Sequence, residues 1–248
     1  MKKVRVIVLI VTIFFIIIYI KNVWNIIFKD IVTSGKDYKY DTVEDIRKIL
    51  KSSKNKIIII DPGHGGKDPG KVGVSGALEK DINLSIAFKL RDYLLKSGFS
   101  VIMTRNCDEG LYSDMDRNKK SVDLRNRVNL IKGSDAIAVV SIHQNSYTNS
   151  NEKGAQVFYY NNSNISKDLA KCVQDSLINN CDKYNKRVEK ANTSYYLLKK
   201  TIKPVIIVEC GFLSNGEESD KLISEDYQSN IAEAINIGII NWANKILN

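Results

Sequence analysis

The chain is poor in histidine. His64 and His143 are the only two among 248 residues, which excludes a metal site built from three histidines and leaves any zinc centre to find a carboxylate or a thiolate. Thiolates are hardly better supplied. Cys107, Cys172, Cys181 and Cys210 show no C-x-x-C spacing and are too few for a disulfide scaffold. A bridge between Cys172 and Cys181 is compatible with a location outside the cytoplasm. H-E-x-x-H is absent, and with it the helical zinc-protease pattern. There is no internal repeat, no low-complexity tract and no Arg-rich stripe. The formal net charge of +9 suggests nucleic acid until its distribution is read. Residues 1–29 carry five Lys/Arg and no acid, and the remainder holds 32 basic against 28 acidic residues, an ordinary solvated surface. No nucleic-acid partner is expected.

A signal-peptidase site is also lacking. Residues 6–20 are apolar except for Thr12 and follow Lys2, Lys3 and Arg5, yet Lys21-Asn22-Val23-Trp24-Asn25 offers no small-x-small cleavage pattern. Fifteen helical residues span roughly 22 Å, and tilt, bilayer thinning and the apolar continuation to Phe28 extend the reach. Residues 1–28 are therefore read as an uncleaved signal anchor whose basic flank stays in the cytoplasm, so that the rest faces outward. A secreted form is the alternative. The polar, mixed-charge residues 29–55 read as a linker, and the catalytic domain is assigned to 56–248.

What is present is an alternation of strands and helices. Ile57-Ile58-Ile59-Ile60 runs into the glycine-rich turn Asp61-Pro62-Gly63-His64-Gly65-Gly66, a buried strand followed by a sharp bend. Apolar periodicity predicts helices over 79–96, 123–131, 165–177, 217–223 and 227–246. Strands are predicted over 99–103, 136–142, 155–160, 195–198 and 205–210. The fold class is α/β: one domain with a largely parallel, mixed sheet flanked by helices on both faces.

In such sheets ligands bind beyond the strand C-termini. His64 and His143 both end apolar runs there. Glu79 opens the helix after the His64 loop and can return to the same edge, although a helix-start glutamate is also explained by the dipole. Glu209 ends the apolar strand 205–208, where an acid is costly to bury unless it is paired or working; an ion-pair partner is the alternative. Other catalytic readings are weaker. Gly73-Val74-Ser75-Gly76-Ala77 lacks the last glycine of a nucleophile elbow and does not follow a strand. Cys210 with His143 would make a thiol dyad, but a cysteine after an apolar strand is usually inert core.

Four ordered segments resemble the amidase-3 family of N-acetylmuramoyl-L-alanine amidases. They are Asp61-Pro62-Gly63-His64-Gly65-Gly66-Lys67-Asp68-Pro69-Gly70, Glu79-Lys80-Asp81-Ile82-Asn83-Leu84, Ser141-Ile142-His143-Gln144-Asn145 and Glu209-Cys210-Gly211-Phe212-Leu213-Ser214-Asn215. Thr104-Arg105, Asp123-Leu124-Arg125-Asn126-Arg127 and 154–160 look closest to the germination-specific, spore-cortex branch. The resemblance implies one zinc ion held by His64, Glu79 and His143, with Glu209 as the catalytic glutamate. It implies peptidoglycan as substrate, a role in cortex maturation and germination, and an accessory lipoprotein as a partner. Gln144 and the segment 129–132 depart from the family pattern. Arg125 and Arg127 are read as surface or helix-packing residues ahead of substrate contacts. Two other functions remain: a zinc peptidase cutting within the stem peptide, and a non-enzymatic, membrane-tethered wall-binding protein.

Overall fold

The structure is a computed structural model that describes residues 46–47 and 56–247. Six strands form one sheet: β1 Ile57–Pro62, β2 Ser100–Met103, β3 Ala138–Asn145, β4 Gln156–Tyr160, β5 Lys190–Asn192 and β6 Val205–Phe212. Their order is β2-β1-β3-β6-β4-β5, parallel throughout except where β4 meets β6 antiparallel. The helices are α1 Glu79–Lys96, α2 Lys119–Lys132, α3 Asn164–Asn180, α4 Tyr196–Lys200, α5 Gly216–Leu222 and α6 Glu225–Leu247.

The two-residue period of the strands sorts their side chains onto two cores. Ile58, Ile60, Val140 and Val208 pack toward α1, α3 and α6, whereas Ile59, Val139, Val205 and Ile207 pack toward α2 and α4. Helices cover both faces, as the near-continuous apolar strands require. On the larger face α3 and α6 approach so closely that a Cβ on Gly238 would lie 2.6 Å from Val173 Cα. Glycine there is a packing requirement, and Trp242 one turn further on is fully buried.

Three expectations need revision. Residues 195–198 are not a strand: Tyr195 is extended and caps α4, and the edge strand lies earlier, at Lys190–Asn192. Leu197 and Leu198 are both buried in the same core, which adjacent residues of a strand cannot achieve. The Cys172–Cys181 bridge that the sequence left open is not formed, since all four cysteines are free. Cys172 lies within α3 and Cys181 caps its end; nine residues of helix separate them by about 13 Å, far beyond the ~7 Å Cα limit of a disulfide. Finally, the packed body reaches into the stretch read as linker. Ile46 is fully buried in the larger core and Arg47 Nε donates to Ile246 O at 2.7 Å. The rest of 29–55 and the anchor reading of 1–28 lie outside the described residues. No helix among the described residues is long and apolar enough to cross a membrane.

Candidate metal centre and catalytic cleft

On the α2/α4 face each central strand changes character toward its C-terminus. Ile59 is followed by Asp61, Val139 by Ser141 and His143, and Ile207 by Glu209, all directed to the same side by the strand period. Apolar residues hold the sheet while polar ones collect at its edge. They line a cleft of about 300 Å³, together with His64, Tyr195 and Lys120. Two larger clefts, of about 500 and 560 Å³, contain neither histidine.

His64, Glu79 and His143 converge beside this cleft, with one ligand atom from each lying within 4.8 Å of the others. His64 Nε2 is 3.2 Å and His143 Nδ1 3.0 Å from Glu79 Oε1. Tetrahedral ligands about 2.1 Å from a zinc ion stand roughly 3.4 Å apart, so the cluster has the donor types and nearly the spacing of such a site. The backbone is shaped around it. A Cβ on Gly63 would lie 2.2 Å from the His143 ring, and one on Gly70 2.6 Å from Glu79 Oε2.

Two of the three side chains, His64 and Glu79, are held by further groups. His64 sits at φ +63°, the one non-glycine in the left-handed region among the described residues, at a cost of order 1–2 kcal/mol. Arg127 Nη2 clamps it by donating to His64 O at 2.7 Å, and His64 Nδ1 lies 3.0 Å from Asp68 Oδ2. The Asp68 contact puts the proton on Nδ1 and turns Nε2 toward Glu79. Glu79 accepts from Lys71 N at 2.8 Å and Gln144 N at 3.1 Å. Burial works to raise its pKa, but the two imidazoles hold the carboxyl well below the usual range. Burial works to lower the His143 pKa, and the Glu79 carboxylate raises it on balance. A metal ligand must be neutral imidazole, so metal and proton compete for this cluster.

Glu209 lies next to the cluster without a hydrogen bond to it. Its residue is only 7 % exposed, Oε1 accepts from the Tyr195 hydroxyl at 3.4 Å, and Oε2 is buried with no hydrogen-bond partner. Burial pushes its pKa up, with His143 pulling the other way. An unpaired buried carboxylate oxygen costs more than 1–3 kcal/mol, and Glu209 is among the residues that line the cleft. Glu209 has no Lys or Arg partner among the described residues, and Glu79, which does lie in the first turn of α1, also reaches both imidazoles. The thiol dyad fails, because Cys210 is fully buried and burial pushes its thiol well up.

Sequence reading undervalued Arg127 and Arg105. Arg127 is buried and donates to Asp61 Oδ1 at 2.7 Å, Asp123 Oδ2 at 2.6 Å and Pro62 O at 2.8 Å. Arg105 donates to the carbonyls of Pro62, Gly63, Cys107 and Lys80. Between them the two guanidiniums fasten the turn that carries His64. The available signal was Asp61, an acid ending an apolar strand exactly as Glu209 does and therefore in need of a buried cation.

Residues 58–241 match the family Amidase_3, described as N-acetylmuramoyl-L-alanine amidase. The germination-specific N-acetylmuramoyl-L-alanine amidase of Bacillus subtilis is 40 % identical over 190 residues, 75 % of this chain and 79 % of that protein. The CwlD amidase of Clostridioides difficile, solved in complex with the GerS lipoprotein, is 44 % identical, with a TM-score of 0.75 over 77 % of this chain and 100 % of that one. An N-acetylmuramoyl-L-alanine amidase of Clostridium difficile 630 is 33 % identical, with a TM-score of 0.68 over 77 % and 98 % of the two chains. With its strand order, its His-Glu-His cluster and its buried glutamate in the cleft, the chain belongs to the Amidase_3 family of N-acetylmuramoyl-L-alanine amidases.

Proposed function

We propose that the protein is a zinc-dependent amidase that hydrolyses the bond between the lactyl group of N-acetylmuramic acid and L-alanine in spore-cortex peptidoglycan, a step that precedes muramic-lactam formation and so serves germination. The observation that carries this reading is the pairing of a three-donor cluster, His64, Glu79 and His143, with an unpaired, buried Glu209 oxygen in one cleft. A zinc ion held by those donors supplies a Lewis acid for the amide carbonyl and lowers the pKa of a bound water. Glu209 takes the proton of the attacking water and returns one to the departing alanine amine. Its burial suits both duties, because desolvation raises the carboxyl's pKa and so makes it a stronger base than an exposed carboxylate. Tyr195 donates to Glu209 and holds its orientation; burial and the Glu209 charge push the phenol up to about 12, so it stays protonated.

Location and partners follow the same reading. Residues 1–28 anchor the protein in the membrane with residues 56–248 on the outer side, facing the cortex. An accessory lipoprotein assists it, in keeping with the partner named for the similar CwlD structure. Full-length protein in detergent, incubated with purified cortex peptidoglycan, tests the chemistry. Intact stem peptides with new L-alanine amino termini are expected, in proportion to bound zinc. Cleavage inside the stem peptide would instead establish a peptidase, and no cleavage by zinc-loaded protein a binding function. Fractionation with a mapped N-terminus tests the anchor: a mature chain beginning near residue 25–35 would rule it out.

A further inference from the structure

The cleft at the metal centre is not symmetrical. On one side it opens into a second hollow of about 260 Å³, lined by Lys67, Tyr112, Lys119 and the three residues shared by both cavities, Asp68, Lys120 and Asp123. Another part of its wall is apolar and aromatic, built from Tyr195, which caps α4, and from Tyr196 and Leu197 within that helix. The acids of the basic branch are already engaged: Asp123 with Arg127 at 2.6 Å and Asp68 with His64 at 3.0 Å. Lys119 is likewise occupied, its ammonium donating to Ser113 O and Asp114 O.

Lys120 differs. It stands at the junction of the two cavities, 69 % exposed, its ammonium 3.7 Å from Asp68 Oδ2 and so beyond hydrogen-bond distance. It occupies the first turn of α2, which holds no acidic residue. A cation there opposes the helix dipole, and the weak Asp68 contact does not offset that. Its position relative to the chemistry is well defined, one carboxylate away from the His64 ring.

Resting on the amidase reading above, we infer that Lys120 is a specificity residue that binds a carboxylate of the stem peptide, so that the peptide runs from the metal centre toward α2 and the glycan lies against Tyr195 and Tyr196. Asp68 Oδ2 lies 3.7 Å from the Lys120 ammonium and 3.0 Å from His64 Nδ1, so Lys120 stands within a residue or two of extended chain from the His64 ring, consecutive residues being about 3.8 Å apart. The ligand class is a peptide whose second residue carries a free carboxyl, as opposed to the carboxamide found in amidated stems.

Two N-acetylmuramoyl tripeptides differing only in whether the second residue's α-carboxyl is free or amidated test this with the full-length, zinc-loaded protein. The wild type is expected to favour the free acid by about fivefold in kcat/KM, the scale of one partly exposed ion pair. Lys120→Ala should bring the ratio close to one, and so should raising the salt to 0.5 M. Tyr196→Ala, on the aromatic wall, should change the ratio by less than twofold. Any incidental loss of zinc lowers both rates together and leaves the ratio readable. A wild type without preference, or a preference that survives Lys120→Ala or disappears with Tyr196→Ala, overturns the inference. Failure of the amidase reading is seen separately, as a wild type that cleaves neither compound at the lactyl amide.

Discussion

His143 on β3 is the register partner of Glu209 on β6. In parallel strands the two side chains leave the sheet on the same face, which puts an imidazole and a carboxylate side by side without any loop having to arrange them. Catalytic precision here is therefore inherited from sheet register, and a slip of one residue would turn Glu209 into the opposite core.

That adjacency makes Glu209→Gln informative. The amide keeps the size and the Tyr195 contact but cannot take up a proton, so turnover should fall by about 10²- to 10⁴-fold. Zinc content and melting temperature should stay near wild type. Loss of zinc in this variant would make Glu209 a ligand, and loss of stability with activity retained would make it structural.

The ligand set is checked by metal analysis. His64→Ala, Glu79→Ala and His143→Ala should each lose most of the bound zinc, because two remaining donors do not close a site. Full stoichiometry in any one of them removes that residue from the set.

Asp68 should matter through His64. Asp68→Ala leaves the three ligands in place but frees the imidazole to rotate and change tautomer, and zinc affinity should drop by about 10- to 100-fold. Competition with a chelator measures it; an unchanged affinity would mean that the 3.0 Å contact does not orient the ring.

The buried Arg127–Asp61 pair predicts a large stability effect. Arg127→Met leaves Asp61 charged and only 2 % exposed, and should cost about 3–5 kcal/mol in urea unfolding. Arg127→Met combined with Asp61→Asn should recover part of this, because the stranded charge is gone. A double variant no better than the single one would place the cost in lost packing.

Asp61 also sets an acid limit. Burial alone would raise its pKa, but Arg127, Ser141 and Thr104 outweigh it and lower the value from 3.8 to about 2. A depressed native pKa stabilises the folded state fully above the unfolded value of 3.8, by roughly 2 kcal/mol. That contribution disappears as the pH falls through about 2. Melts between pH 5 and pH 2 should show it, and a smaller fall in Asp61→Asn assigns it.

Much of this was legible in the chain because periodicity and burial are local signals. The helix over 79–96 was placed to the residue, since its apolar spacing and the glycine at 98 leave little freedom. The strand leading to His64 and those carrying His143 and Glu209 were found because runs of β-branched residues, bounded by turn residues, are a local signal for buried strands. The edge strand Lys190–Asn192 was not, because an edge of three partly exposed residues has no apolar pattern to read. Leu197 and Leu198 misled for the opposite reason, as a short apolar run fits a strand or a helical turn equally well until its neighbours are known.

By itself, then, the sequence determined which side chains are offered to a site: two histidines, too few for a three-histidine centre, with Glu79 and Glu209 among the carboxylates at element ends. Tertiary structure alone decided how those groups divide the work. Glu79 and Glu209 are the same residue type at the same sheet edge. Glu79 faces two imidazoles and backbone amides, which hold its carboxyl well below the usual range, while Glu209 has one phenol and an unpaired oxygen, and burial pushes its carboxyl up. The same holds for Arg127, whose partners lie 4 and 66 residues away in the chain. Electrostatic environment depends on what is close in space, and spacing along a sequence does not record it.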